Sequence, residues 1–470
     1  MTPHPPRPPQ ADLPSPGVEY RPDFQGRLIS ACCPAEGIDI YTFLRHGEQQ
    51  PRFYWRDGSQ DIQFAGVGVA LSLMGWGEGR FHQIQRQARS LFTQALAMDE
   101  GPSLAAPRLF GGFAFRQDFV PDFTWAAFHP AHFILPHYQL VTCRGESWLT
   151  INALLAPGES ARARQQALQE ALAARYRLLR SLPKVIPAPP SAPQVEVDYP
   201  LSYPAWAAMI EEALRHFAAG RMDKVVLARI CQVRSPTHLD IDAALFHLDQ
   251  RYPGCYTFLV EPRPHHAFFG APPELLVAVQ GSRLQTMGLA GSAPRGATPQ
   301  EDEALAAELL ASAKDRHEHA LVVQAIQERL APLTTALTAP ATPEIMRLSN
   351  IQHLFTPIQA ELRRPDGVLP LVELLHPTPA LGGWPRDAAL AFIQEHEQTP
   401  RGWYAAPVGW IDRNLDGAFS VAIRSAVVQR RRAWLYAGAG IVAASRPERE
   451  WEETGWKFRP VLEALGVWRG

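Results

Sequence analysis

Residues 447–457 read PEREWEETGWK, and Glu448, Glu450, Glu452 and Glu453 put four carboxylates into six positions, with Lys457 one turn further on. On a helix, residues three and four apart share a face, so Glu450, Glu453 and Lys457 line one side and Glu448 pairs with Glu452 on another. Like charges one turn apart repel by about 1 kcal/mol at ~4 Å even in water. Two readings follow: a solvated acidic face, or carboxylates turned toward a cation in a cavity. A second helical stretch, SAKDRHEHALVV (312–323), bears on the choice. Asp315 and Glu318 are three apart and share a face, whereas His319 is turned from Glu318 by about 100°. A hard dication such as Mg2+ takes oxygen ligands, often one or two carboxylates with water and substrate oxygens completing the octahedron. Two helices carrying acids at this spacing can supply that set. His317 and His319 are two apart and do not converge on one metal, and there is no H-E-x-x-H.

The chain has 470 residues, enough for a large core. At 46% hydrophobic and 20% charged it has the composition of a globular protein, and its net charge of -2 gives no basis for binding nucleic acid or an anionic membrane. No run of about 18 apolar residues is present, so no membrane span is expected. The first residues, MTPHPPRPPQADLPSPG, have no apolar signal core and read as a disordered proline-rich tail over 1–17. Five cysteines, Cys32, Cys33, Cys143, Cys231 and Cys255, are scattered and form no C-x-x-C pair. Neither a disulfide framework nor a zinc ribbon is expected, and a reducing cytoplasm fits best.

Strand-like runs, RFYW, LFGGFAFR, AHFILPHYQLVTC and SWLTINALL, fill the N-terminal part (18–182), which closes on a helix-forming segment near 161–182. A proline-rich connector (183–200) follows. The remainder, 201–470, opens on an amphipathic helix, YPAWAAMIEEALRHFAAG. Strands are then expected at KVVLARICQVR, CYTFLVEP, HAFFGAPPELLVAV and RLQTMGLAG. One long helix is expected from Pro299 to Leu333, then strands at WYAAPVGWID, FSVAIRSAVVQ and AWLYAGAGIVA, and finally the acidic helix. Strand runs broken by long helices indicate α+β organisation. No G-x-G-x-x-G follows an early strand, which speaks against a dinucleotide fold.

Nine stretches occur in a telling order: KVVLAR (224–229), FFGAPPELL (268–276), GLAGSAPRG (288–296), SAKDRHEH (312–319), HPTPALGGWP (376–385), RGWYAAPVGWID (401–412), VAIRSA (421–426), YAGAGIV (436–442) and EREWEETGWK. Over about 205–465 the chain resembles the chorismate-utilising enzymes of menaquinone, siderophore and tryptophan biosynthesis, and within them the menaquinone-type isochorismate synthases. The resemblance implies two large β-sheets packed face to face and flanked by helices, as in anthranilate synthase component I, with the N-terminal part inside the same body. It also implies Mg2+ and conversion of chorismate to isochorismate, with water added at C2 and the C4 hydroxyl lost.

By the same resemblance Glu318 and Glu453 hold Mg2+, Glu450 holds a metal-bound water, and Asp315 lies in the same shell. Lys224 activates the water. Anthranilate synthases, which add ammonia, typically carry glutamine there. Glu274 protonates the departing hydroxyl. Arg424 and Tyr404 bind the enolpyruvyl carboxylate, toward which Gly438, Ala439 and Gly440 present backbone N–H groups. Lys457 contacts a carboxylate or balances the acids, and Gly291, Ser292 and His353 line the ring pocket. Pro272 stands where serine is usual and Ala406 where glycine is frequent. Alternatives are a salicylate synthase, which goes on to eliminate pyruvate, and, less favoured, anthranilate synthase component I or a catalytically silent chorismate-binding protein. No glutamine amidotransferase partner is expected, and the chain is read as a monomer or weak homo-oligomer.

Overall fold

The computed structural model describes residues 18–19, 26–96, 101–188 and 195–467. The tail expected over 1–17 and part of the connector lie outside them. The strands form two large sheets. One runs in the order 18–19, 71–75, 131–135, 109–113, 407–411, 417–421, 275–280, 283–294, 351–362 and 334–338, with 344–347 also on 351–362. The other runs 196–198, 224–234, 432–442, 425–429, 266–270, 256–263, 52–57, 62–67, 138–143, 146–155 and 27–34, with 383–384 on 224–234. Both sheets therefore draw strands from each side of the connector, and the connector's own end, Glu196–Asp198, pairs with Gln232–Arg234 as an edge.

Alternating apolar residues give each sheet one face for the other. Phe53, Trp55, Phe64 and Phe268 of one sheet pack with Leu73, Phe113, Phe133 and Phe419 of its partner in a common core. The outer face of the second sheet is covered by helices 40–46, 161–181, 241–251 and 447–464. Helices 203–218 and 386–396 cover its 224–234 and 432–442 strands through Trp206, Ile210, Phe392 and Ile393. Helix 313–330 lies against the first sheet through Val322, Ile326 and Leu330.

Four expected elements are divided. The run 131–143 is two strands in different sheets, 131–135 and 138–143, with Pro136 between them. The run 266–279 is two strands in different sheets, 266–270 and 275–280, because Pro272 and Pro273 supply no ladder donors between them. The run 419–429 likewise splits into 417–421 and 425–429, with Arg424 in the left-handed region at φ 51°. These last two crossings lie side by side: the Ala271 N–H donates to the Arg424 carbonyl at 3.2 Å and the Val421 N–H to the Glu274 carbonyl at 3.2 Å. The long helix 299–333 breaks at Ser312 into helices Pro299–Ala311 and Ala313–Leu330. Ser312 ends the first with an extended backbone (ψ 113°) and caps the second, its hydroxyl accepting from the Asp315 N–H at 3.2 Å. Periodicity alone does not show this break, since serine is tolerated within helices yet preferred at their start.

Ser312→Ala is expected to lower stability by about 1 kcal/mol, the usual worth of an N-cap. Denaturant unfolding measures it, and an unchanged midpoint would show that the hydroxyl does not hold the helix start.

Candidate active site

The crossings, helix 313–330, helix 447–464 and the end of strand 432–442 enclose a cavity of about 710 Å³, counting its open mouth. Of the residues singled out from sequence, Glu274, Gly291, Ser292, Glu318, His353, Tyr404, Arg424, Gly438, Gly440, Glu453 and Lys457 line it.

Lys224 begins its strand and is fully buried. Its Nζ donates to Glu318 Oε1 at 2.9 Å. This contact depends on Gly440: a Cβ there would lie 2.4 Å from Glu318 Oε1 and 3.2 Å from Lys224 Cε. Lys457 Nζ meets Glu453 Oε1 at 2.6 Å and the Gly438 carbonyl at 2.8 Å. Lys314, unremarked in the sequence reading, pairs with Glu450 at 3.0 Å. Glu450 is buried and does not line the cavity. Each of the three acids thus has its own lysine. Burial alone would raise the Glu453 carboxyl, but Lys457, by charge and hydrogen bond, and Lys314 outweigh it and hold it below its ordinary value. Glu450 is raised, by burial and then by the charge of Glu453. Asp315 is raised chiefly by burial and further by Glu318 and Glu453, so these carboxylates sense one another across two helices.

Burial pushes Glu274 up to about 8, against the opposing pull of Lys224 and Lys457. At neutral pH it therefore holds a proton in the cavity wall. His353 is held neutral, at about 3, by burial and by Arg424 and Lys457. Its Nδ1 lies 3.1 Å from the Gly291 carbonyl and 3.0 Å from Ser292 Oγ, so the proton sits on Nδ1. Nε2 is then an acceptor for Arg424 Nη2 at 3.2 Å. The Tyr404 ring stacks on Tyr436, with centroids 5.1 Å apart. A Cβ on Gly438 would come 3.1 Å from the Tyr404 hydroxyl, so glycine there admits it.

The 438–440 segment behaves differently from expectation at its middle residue. The Val226 N–H donates to the Gly382 carbonyl at 2.9 Å and the Ala228 N–H to Glu397 at 2.8 Å, both away from strand 432–442. Their partners in register are Gly440 and Gly438. In an antiparallel pair whose members do not bond each other, both point their backbone groups outward. Gly438 and Gly440 therefore direct N–H and C=O to the free edge beyond Tyr436, where strand 425–429 stops. Ala439 faces Leu227 within the ladder and buries its methyl beside Trp206 and Phe392. The expected contribution of Ala439 to substrate binding is corrected accordingly: neither its amide nor its side chain reaches the cavity.

Arg401 lines the cavity and was not singled out from sequence. Its guanidinium pairs with Glu397 and donates to the Leu381 carbonyl at 2.9 Å and the Val226 carbonyl at 2.7 Å, tying two walls together. The spacing of Glu397 and Arg401 at i, i+4 was the available signal, but surface helices carry the same pair routinely.

Among the described residues no three His, Cys, Asp or Glu side chains form a metal cage by themselves. A hard dication bound partly by substrate and water needs fewer. Glu318 and Glu453 both face the cavity, the donors are all carboxylate oxygens, and Gly440 leaves the space that Glu318 occupies. This donor set fits Mg2+.

The family described as chorismate binding enzyme matches residues 19–466, and the chain belongs to it. It is 39% identical to the salicylate biosynthesis isochorismate synthase of Pseudomonas aeruginosa, over 94% of this chain and 90% of that protein. It is 33% identical to isochorismate synthase MenF of Bacillus subtilis, over 93% of each. Among solved structures, the menaquinone-specific isochorismate synthase MenF of Escherichia coli superposes with a TM-score of 0.77 at 27% identity, covering 94% of this chain and 95% of that one. Anthranilate synthase component I of Streptococcus pneumoniae shares the fold, with a TM-score of 0.69 at 19% identity.

Gly440→Ala is expected to separate Lys224 from Glu318 and reduce turnover at least tenfold while the protein stays folded. Steady-state kinetics beside a thermal melt test this. Full activity with an added methyl would show that the pair is dispensable.

Proposed function

We propose that the chain is an isochorismate synthase: chorismate in, isochorismate out, by Mg2+-dependent addition of water at C2 and loss of the C4 hydroxyl. The observation that carries this reading is a buried carboxyl in the cavity wall, Glu274, that keeps its proton at neutral pH, together with a second wall acid, Glu318, bonded by the fully buried Lys224. A new C2–O bond forms as the C4–O bond breaks and the double bond shifts between them. Lys224 is placed as the base that takes the proton of the attacking water, and Glu274 gives its proton to the departing hydroxyl, which leaves as water. Arg424 offers a planar fork for a carboxylate, beside the Tyr404 hydroxyl and the free N–H groups of Gly438 and Gly440. Val226, Leu289, Leu381 and Ile423 give the ring an apolar enclosure that limits stray water. Glu318 and Glu453 would hold the metal, with Glu450 and Asp315 behind them. When bound, Mg2+ would stabilise negative charge on the substrate carboxylate and ring.

Incubation of the protein with chorismate and Mg2+, with products resolved by NMR, is expected to give isochorismate alone. Salicylate with pyruvate would replace this reading with that of a salicylate synthase, and no turnover with measurable chorismate binding would end the enzymatic reading. Lys224→Ala and Glu274→Ala are each expected to cost about 10²–10⁴ in turnover, the usual worth of acid–base groups, with the fold kept. A group that must be protonated to act fails as it ionises. Activity is therefore expected to fall as pH rises through about 8, where Glu274 loses its proton. A rate still level well above that pH would remove Glu274 from the acid role. Glu453→Gln is expected to raise the Mg2+ concentration needed for half-maximal rate, and an unchanged metal titration would contradict its role as a ligand.

A further inference from the structure

Behind the wall formed by residues 376–381 and Phe115 lies a second, wider cavity of about 1230 Å³, counting its open part. It is set between the start of helix 80–93, residues 115–118 and helix 386–396. Its charges are sorted by depth. The acids Glu78, Asp118, Glu373 and Asp387 all stand at the exposed rim, and Asp118 is engaged by Arg116 through two 2.8 Å bonds. The floor is cationic and aromatic, with Arg80, Phe81, Phe115 and His376 buried and Arg386 half-buried above them.

Two floor groups are incompletely satisfied. Arg80 is 5% exposed, and among the described residues no carboxylate lies within ion-pair distance of it. Its Nη atoms reach only the Gly77 and Ala114 carbonyls, at 3.3 Å each, and Nε is buried with no partner. Burial pulls Arg80 down to about 10, which leaves it charged at neutral pH. His376, 2% exposed, has Nε2 against the Phe115 carbonyl at 3.1 Å. Nε2 must donate there, so Nδ1 is a bare acceptor, and it too is buried without a partner. Among the described residues Arg386 makes one hydrogen bond, to the His376 carbonyl, and it feels the charges of Asp387 and Glu373 without pairing with either. Buried groups left in this condition mark places where a partner is missing.

The geometry points to a binding site, separate from the reaction cavity, for a small aromatic hydroxycarboxylate. Its carboxylate would meet the guanidinium groups of Arg80, which lies over the Phe81 ring at 4.6 Å, and Arg386; its hydroxyl would donate to His376 Nδ1, and its ring would lie beside Phe115 and His376. The aromatic lining of that floor is tight, with the Phe115 and His376 rings edge to face at 5.5 Å. The wall between the cavities is shared. Residues 376–381 begin at His376 and end at Ala380 and Leu381, which line the reaction cavity. Arg401 stacks on Phe115 at 4.3 Å from below and bonds the Leu381 carbonyl. Occupancy of the second site is therefore expected to change turnover without competing with substrate.

Salicylate, titrated calorimetrically into the full chain, tests this, with benzoate as the hydroxyl-free control. One site is expected, benzoate should bind at least fivefold more weakly, and a saturating concentration of chorismate, with Mg2+ withheld, should leave salicylate binding intact. Arg80→Gln and Arg386→Gln should each weaken binding at least tenfold and leave basal turnover within twofold. Using both variants guards against one that fails to fold. Absence of binding up to 10 mM, about the weakest affinity worth calling specific, would overturn the inference. So would binding that competes with substrate or survives both substitutions. Because binding is read without turnover, the result stands or falls separately from the reaction proposed above.

Discussion

Two backbone segments leave one sheet for the other at the same place, and the cavity exists because they do. Residues 271–274 and 422–424 cross in opposite directions, bonded to each other through Ala271 and Arg424 and through Val421 and Glu274. Two sheets packed face to face are normally sealed by side chains. Here the doubled crossing places Glu274 and Arg424 in the wall of the cavity. The strain is local: Arg424 adopts a left-handed backbone that a non-glycine residue takes only when its surroundings impose it. Its carbonyl bonds the neighbouring crossing and its guanidinium reaches His353, so both ends of the residue are committed.

The second constraint is electrostatic. Burying carboxylates is costly unless each is paired or neutralised. The cavity meets this in two ways. Glu318, Glu450 and Glu453 each receive a lysine from elsewhere in the chain or from the same helix. Glu274 receives no such partner at bonding distance and stays protonated instead. The same low-dielectric setting thus holds Glu453 below its ordinary value on one side and keeps Glu274 a carboxylic acid on the other, the separation of roles that acid–base chemistry needs. Glycine at 440 is part of this arrangement, since any side chain would occupy the position of the Glu318 oxygen.

Much of this was legible in the order of residues. The acids of the two helices, Lys224 at a strand start and Glu274 after two prolines are local patterns, and the structure gathers them in and around one cavity. The crossings were not legible as such. HAFFGAPPELLVAV and FSVAIRSAVVQ read as single apolar strands because alternation does not report which sheet a strand joins. Ser312 was hidden for a related reason, as a residue that both helices and helix starts accept. Ala439 was misassigned because the backbone's direction within a ladder depends on the register with Leu227, which no single strand reveals. Arg80 and Arg386 carry no motif of their own, and Arg401 opens the RGWYAAPVGWID stretch without a role that the stretch itself reveals. Their meaning comes from what surrounds them after folding.

The interleaving of early and late strands has a consequence for biogenesis. Strand 52–57 has 256–263 as a neighbour, and strand 109–113 has 407–411. A nascent chain that has emerged only as far as the connector therefore holds two apolar sheet fragments whose edges have no partners yet. Such edges invite pairing with other chains, and long-range pairings form slowly. Synthesis of this protein should place a standing demand on ribosome-associated chaperones, since neither portion can bury its half of the core before the other arrives.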